Sequence, residues 1–242
     1  MKRYKHLPIL ALACLLSVFG LFSQNASSAR AARATAAQSA NASDGSGQHV
    51  VAYFTQWGIY SGFFEKNLVT SGTASRLTTI NYAFSNISSN LQCSQGDSWA
   101  DYQRPFAASE SVNGQADTWG QTLAGNFNQL RELKQLYPNL KIMISIGGWT
   151  WSSNFSAAAE PQNRAAFVQS CIDQYILGNL AQSAPGAAAN VFDGFDIDWE
   201  YPNNPGNGNA YGPQDTANFT GLLAEFRSQL DTLGKQLSLI HI

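Results

Sequence analysis

The chain has 242 residues, of which 44% are hydrophobic and 12% charged, so it is large enough for one barrel-sized domain and is not a disordered protein. Its formal net charge is −2, but beyond position 36 it carries nine basic and sixteen acidic residues. This acidic body disfavours a nucleic acid or an anionic membrane as partner and favours a neutral one.

The first 36 residues have the pattern of a secretory signal peptide. Basic residues near the start precede the apolar run 7–22, and small residues with A-x-A-like cleavage sites follow it. We therefore predict a secreted, extracellular protein without a membrane anchor after cleavage; an uncleaved anchor helix is the alternative. The Ala/Ser/Asn/Gly-rich stretch 37–48 predicts a flexible lead-in, and the folded domain then covers 49–242.

Short apolar runs alternate with helical patterns along the domain. The patterns predict strands and helices in the following order: strand 48–56, a short crossover 63–76, strand 77–84, helix 119–137, strand 141–146, helix 162–177, strand 192–199, helix 213–233 and the start of a fifth strand at 236–240. This alternation argues for a parallel sheet covered by helices, either a barrel or a doubly wound sheet. The first strand is not followed by a G-x-G-x-x-G or P-loop motif, so a nucleotide-binding fold lacks its main support.

The polar segment 85–119 separates the second strand from the second helix. Long loops of this kind build binding sites at the carboxyl-terminal face of barrels. Three aromatic residues either line a binding groove or fix the loop to the domain: Trp99, Tyr102 and Trp119. Cys93 and Cys171 either form a disulfide, as an oxidising compartment permits, or leave Cys171 as a small buried hydrophobic residue.

The most informative stretch is Asp193-Gly-Phe-Asp-Ile-Asp-Trp-Glu-Tyr-Pro202. Side chains alternate between faces along a strand, so Asp196, Asp198 and Glu200 share one face. Asp193 has the opposite parity and a separate role. Carboxylates spaced about 6.5–7 Å apart repel one another, so at least one is expected to hold a proton near neutral pH. Glu200 is nearest the carboxyl-terminal end, which faces the active site in α/β barrels.

Two other interpretations of this strand are a divalent-cation site and a solvated edge. The apolar residues that alternate with the acids argue against a solvated edge, because their face must be buried. The spacing also lacks the Asp-x-Asp-x-Asp-Gly loop of a calcium hand. We therefore expect neither a metal nor a cofactor. A protonated acid beside an ionised one is instead what glycoside hydrolysis requires.

Two motifs occur in order along the sequence, Ser145-Ile-Gly-Gly148 and Asp193-x-x-Asp196-x-Asp198-x-Glu200. They resemble the SxGG and DxxDxDxE signatures of family 18 glycoside hydrolases, the chitinases, of the secreted bacterial type. The resemblance extends from about position 49 to about position 239. It implies a parallel (β/α)8 TIM barrel, of which about the first five strands and four helices are present, and chitin or chitooligosaccharides as the binding partner.

The resemblance also implies a substrate-assisted mechanism with retention. Glu200 would protonate the glycosidic oxygen and then act as base toward water, while the N-acetyl carbonyl of the sugar attacks the anomeric carbon. Asp198 would hydrogen-bond the N-acetyl N–H, and Asp196 would share a proton with Asp198. Tyr53 and Ser145 would hold Asp196.

Further site residues follow from the same motifs. Gly147 and Gly148 let another group approach the backbone closely, and the acidic strand is the natural neighbour because it is next in sequence. Trp149, or Trp151 with the same parity, would stack on a sugar beyond the cleaved bond or belong to the core. Tyr201 is a second candidate for substrate binding.

The family's later motifs are absent, including the Tyr and Asp of the sixth strand and the Trp of the eighth. We therefore expect a C-terminally truncated piece that is poorly stable alone, because an open parallel sheet exposes its edges, and a monomer when complete. Two other functions occur on this fold. A chitin-binding lectin typically lacks the acid at Glu200, whereas an endo-β-N-acetylglucosaminidase acting on glycoprotein glycans shares the acidic strand and stays an alternative.

Overall fold

The computed structural model describes residues 48–236, so the predicted signal peptide and most of the predicted lead-in lie outside the described part of the chain. The strands are β1 (Val51–Thr55), β2 (Thr79–Ile87), β3 (Cys93–Gln95), β4 (Lys141–Gly147) and β5 (Gly194–Asp198). The helices are α1 (Glu65–Thr70), α2 (Gly125–Leu136), α3 (Gly148–Trp151), α4 (Phe155–Ala158), α5 (Arg164–Cys171) and α6 (Asp215–Gln236). Over 48–236, no helix combines the length and the hydropathy that crossing a membrane requires.

Four strands run parallel in the order β1-β2-β4-β5, and helices connect them. The predicted parallel α/β arrangement is therefore confirmed. One row of residues crosses all four strands in register: Thr55, Ala83, Ser145 and Asp196. Sequence-distant positions that share this row lie on the same face of the sheet.

The other face of the sheet is buried under the helices. Because side chains alternate, Ile80 and Tyr82 of β2 and Ile142 and Ile144 of β4 all point to this face and are 0–1% exposed. The helices cover them with their apolar stripes, whose buried members include Phe127, Leu130, Leu133, Phe167, Leu222 and Phe226. Each such burial contributes about 1.5–3 kcal/mol.

Strand β5 occupies one end of the strand order. Its apolar residues face α6, where the Phe195 ring lies 4.8 Å from the Phe226 ring. Trp199 is 5% exposed and stacks on Phe155 at 5.3 Å, whereas Phe195 and Ile197 are only partly buried. The apolar face that the acidic strand requires is therefore present.

Several boundaries differ from the sequence prediction. Helix α2 begins at Gly125, because the preceding segment turns and is held by the Gln121 side chain, which donates to the Leu123 carbonyl at 2.7 Å. The acidic strand is shorter at both ends than 192–199, since its pairing with β4 covers only Gly194–Asp198. Helix α6 runs to Gln236, so no strand begins there, and 237–240 lie outside the described residues.

Segment 85–119 has more structure than a polar loop. It contains β3, which pairs antiparallel with β2, and a π-helical turn at Trp99–Gln103. The Tyr102 side chain is 4% exposed and donates its hydroxyl to the Ala181 carbonyl at 2.8 Å, so Tyr102 fixes the segment to the domain. Trp99 and Trp119 are exposed instead.

A disulfide joins Cys93 on β3 to Cys171 on α5, which settles the open question about these cysteines. Both residues are buried. The hydroxyl of Ser170, next to Cys171, also accepts a hydrogen bond from the Cys93 N–H at 2.9 Å. The long segment after β2 is thereby tied to the helix that covers the sheet.

Two buried acids were not expected from the sequence. Asp101 accepts hydrogen bonds from the Tyr82 hydroxyl at 2.6 Å and from the Gln56 amide at 3.2 Å. The Glu65 carboxyl group is fully buried, and no other described residue hydrogen-bonds to it. Burial raises the pKa of each group to about 8, and the nearby charge of Glu132 contributes at Glu65.

We expect Glu65→Gln to stabilise the protein most above neutral pH. The unfolded chain releases this proton near pH 4 and the folded chain only near pH 8, so the wild-type free energy of unfolding falls as pH rises between these values. The variant should gain roughly 1–3 kcal/mol at pH 8 and little at pH 4. Urea unfolding at both pH values measures the difference, with Glu160→Gln at the surface as control. An equal effect at both pH values would contradict the assignment.

Replacing Cys93 and Cys171 together by Ser should lower the free energy of unfolding by roughly 2–4 kcal/mol, because the cross-link closes a long loop in the unfolded chain. The two cysteines are 78 positions apart. Thermal unfolding of the double variant should match that of the reduced wild type. A variant with the unfolding temperature of the oxidised wild type would show that the bond does not form.

Candidate active site

Two hydroxyl groups hold Asp196. Tyr53 and Ser145 both donate to its Oδ2 atom, at 2.8 Å and 2.7 Å. Ser145 lies directly opposite Asp196 in the pairing of β4 with β5, whereas Tyr53 reaches over from β1 at the far end of the strand order. Burial and the bond to Asp196 raise the pKa of Tyr53 to about 12, so its hydroxyl keeps its proton at neutral pH.

Asn81 belongs to the same inner face and was missed at the sequence level. It pairs in register with Tyr53 and is 9% exposed, and its side chain acts on the Tyr53 hydroxyl by lowering the pKa of Tyr53 against the larger effects of burial and Asp196. The sequence contained a signal for it, because position 81 has the parity of the inner face and is the polar residue within the run Ile80-Asn-Tyr-Ala-Phe84. A polar side chain there orients the tyrosine that reaches Asp196.

Asp198 and Glu200 follow Asp196 toward the carboxyl-terminal end of β5. Partial burial, then the charge of Glu200, then that of Asp196 raise the pKa of Asp198. The charges of both neighbouring acids therefore act on the central one, as the expected repulsion requires. The arrangement places a carboxyl group with a raised pKa between two other acids, which suits proton transfer.

Asp193 stands apart from the three acids, as its parity indicated. Its carboxylate accepts a hydrogen bond from the Ile142 N–H at 2.8 Å and pairs with Lys134 at 2.9 Å. Lys141 lies 3.7 Å away on its other side. These contacts join the start of β5 to β4 and α2, so the first acid of the motif secures the strand.

Gly147 and Gly148 end β4 where it meets β5. Gly147 has φ +107°, and a Cβ atom there would lie 2.5 Å from the carbonyl oxygen of Asp198, its partner in the register. At Gly148, with φ +75°, a Cβ atom would lie 2.8 Å from the Phe84 ring. The group that approaches the first glycine is therefore the backbone of the acidic strand, as the sequence predicted.

The aromatic candidates differ in exposure. Trp149 is 51% exposed at the carboxyl-terminal end of β4. Trp151 is partly buried, and its indole packs so closely on Gly96 that a Cβ atom would lie 2.5 Å from the ring. Tyr201 is 48% exposed, and its contact with the Glu200 carboxylate raises the pKa of its hydroxyl. Of the two tryptophans, Trp149 is the one with a face available to a ligand.

A family model described as Glycosyl hydrolases family 18 matches residues 49–242. The chain belongs to this family. Its sheet is accordingly part of a (β/α)8 TIM barrel, the fold that the sequence predicted. The known proteins similar to it include several chitinases.

Chitinase C from Streptomyces lividans is 52% identical over 161 residues, which cover 66% of this chain and 24% of that protein. Chitinase 63 from Streptomyces plicatus is 49% identical, with 63% and 23% covered. The solved catalytic domain of psychrophilic chitinase B from Arthrobacter TAD20 has a TM-score of 0.76 and 49% identity; 79% of this chain and 50% of that one are covered. The chain thus spans about a quarter of the length of these curated relatives.

Replacing Gly147 by Ala should destabilise the domain by roughly 2–4 kcal/mol, because the methyl group meets the Asp198 carbonyl and the positive φ is strained. Gly72→Ala is the matched control: it also has a positive φ, +75°, but open space around it. Denaturant unfolding of both variants separates the steric clash from the backbone strain. Equal losses in the two variants would show that β5 does not pack tightly on Gly147.

Proposed function

We propose that the full-length protein containing these residues is a chitinase, which hydrolyses β-1,4-linked N-acetylglucosamine polymers with retention. The observation that carries this proposal is the ordered row of acids on β5: Asp196 held by two hydroxyl donors, Asp198 with a raised pKa, and Glu200 at the open end. The similarity to several chitinases supports the same substrate class.

In the proposed first step, the Glu200 carboxyl group gives its proton to the glycosidic oxygen as the bond from that oxygen to the anomeric carbon breaks. The carbonyl oxygen of the substrate's own N-acetyl group forms the new bond to the anomeric carbon, giving an oxazolinium ion. Asp198 accepts a hydrogen bond from the N-acetyl N–H and stabilises the positive charge. General acid help of this kind is worth about 10²–10⁴-fold in rate.

In the second step, Glu200 is a carboxylate and takes a proton from water. The water oxygen bonds to the anomeric carbon on the face that the leaving group occupied, while the bond from that carbon to the N-acetyl oxygen breaks and the N-acetyl group is restored, so the configuration is retained. Asp196 supports both steps indirectly, because the Tyr53 and Ser145 hydroxyl groups fix its carboxylate beside Asp198. Charge and proton are thereby distributed among three acids that follow one another along β5 and just beyond its end.

The exposed aromatic side chains near the acids fit a sugar polymer. Trp149 and Tyr201 lie at the carboxyl-terminal ends of β4 and β5 and are about half exposed, and apolar faces of sugar rings stack well on such rings. The presence of an acid at position 200 favours an enzyme over a lectin. The disulfide between Cys93 and Cys171 supports secretion, because such bonds persist in oxidising compartments.

Glu200→Gln in the full reading frame that contains these residues should lower turnover of a fluorogenic chitotrioside by at least about 10²–10⁴-fold, since the amide cannot donate the proton. Glu160→Gln, a carboxylate outside the acidic strand, is the matched control and should keep wild-type activity. Equal turnover by wild type and Glu200→Gln would overturn the assignment. An inert wild type that still binds chitin would support the lectin instead.

A further inference from the structure

The backbone at Glu200 is not held by the sheet. The pairing of β5 with β4 ends at Asp198, opposite Gly147. Two residues beyond the last paired position, the chain has no strand neighbour among the described residues. A general acid has to be kept within hydrogen-bond reach of the atom it protonates, so other contacts must fix this segment.

Ser152 holds the N–H side of Glu200. Its Oγ atom accepts a hydrogen bond from the Glu200 N–H at 2.9 Å and donates to the Gly148 carbonyl at 2.9 Å. The residue is 0% exposed, so water cannot replace it. The same Oγ lies 3.3 Å from the Asp198 carbonyl oxygen. One hydroxyl group thus joins the end of β5 to the first turn after β4.

Asn209 holds the carbonyl side of Glu200. Its side-chain amide donates to the Glu200 carbonyl at 3.2 Å, and the residue is 9% exposed. The loop between them folds back closely, because a Cβ atom at Gly206 would lie 2.2 Å from the Glu200 carbonyl oxygen. A buried side chain from the following loop therefore fixes the second end of the same residue.

Asp215 closes the loop that carries Asn209. Its buried carboxylate accepts hydrogen bonds from the Gly212 N–H at 2.8 Å, from the Asn203 N–H at 3.3 Å and from the Ser156 hydroxyl at 2.7 Å. Asp215 begins α6, and Ser156 lies on α4. The loop is therefore anchored to two helices, and this gives the amide of Asn209 a defined position.

We propose that Ser152 and Asn209 are positioning residues that clamp the backbone of Glu200 on both sides and thereby aim its carboxyl group at the glycosidic oxygen. This inference rests on the proposed function for its effect on turnover. The clamp itself consists of hydrogen bonds to the backbone of Glu200, so it can be tested without turnover. Removing either partner leaves a buried N–H or carbonyl group of Glu200 without a hydrogen bond and frees the side chain to move away from the reacting atom.

Kinetics of the full-length protein on the fluorogenic chitotrioside test the clamp. Ser152→Ala and Asn209→Asp, which keeps the shape but loses the amide donor, should each lower kcat by roughly 10–100-fold and change KM by less than about threefold. Ser111→Ala is the matched control, because Ser111 is also 0% exposed and hydrogen-bonds Glu132 and Asn113 instead. Equal loss of kcat in Ser111→Ala and Ser152→Ala would overturn the proposal.

Amide hydrogen exchange at Glu200 tests the clamp without turnover. The Glu200 N–H should exchange at least about tenfold faster in Ser152→Ala than in wild type and at the wild-type rate in Ser111→Ala, because only the first variant removes its acceptor. Unchanged exchange in Ser152→Ala would overturn the clamp even if the enzyme is active. Faster exchange together with an inert wild type would retain the clamp and reject the proposed chitinase activity.

Discussion

The close pairing of β4 with β5 is the contact on which the rest of the site depends. At its carboxyl-terminal end the Asp198 carbonyl occupies the space that a side chain at position 147 would fill. This approach sets Ser145 opposite Asp196, within hydrogen-bond distance of its carboxylate. It also brings Ser152, which follows the glycines, to the backbone of Glu200. A larger residue at position 147 would disturb all three contacts together.

The four acids of the motif have different surroundings, and the position of each acid along the chain explains the difference. Asp193 is paired with lysines at the start of the strand, so it secures the fold. Asp196 receives two hydroxyl hydrogen bonds in the middle of β5. Asp198 lies partly buried between two acids, which raises its pKa, and Glu200 lies beyond the last strand pair. One alternating strand thus produces four different environments.

The loop after β2 and the loop after β5 are both fixed by buried polar contacts. The first is held by the Cys93–Cys171 disulfide and by Asp101, and the second by Asp215. In the first loop Asp101 accepts hydrogen bonds from two side chains, and in the second Asp215 accepts them from two backbone N–H groups and a hydroxyl group. The carboxyl-terminal rim around the acids is therefore held in place by polar side chains outside the sheet.

The sequence by itself determined what depends on local periodicity. Alternation with period two placed Asp196, Asp198 and Glu200 on one face, and helical spacing predicted the stripes of α2, α5 and α6, because both patterns follow from backbone geometry alone. The glycine pair and the acidic motif also indicated the family, because the two motifs occur in its order. Helix and strand ends were less predictable, because pairing partners and turns decide them.

Only the tertiary structure decided which distant residues meet. The resemblance implied that Tyr53 holds Asp196, 143 positions away, whereas Asn81, Ser152 and Asn209 carry no motif that marks their contacts. Which of Trp149 and Trp151 is more exposed depended on the packing of the Trp151 indole on Gly96. The pairing of the two cysteines depended on β3 lying beside α5. Hydrogen bonds, packing and burial depend on three-dimensional neighbours, whereas local spacing specifies only which face of an element a side chain occupies.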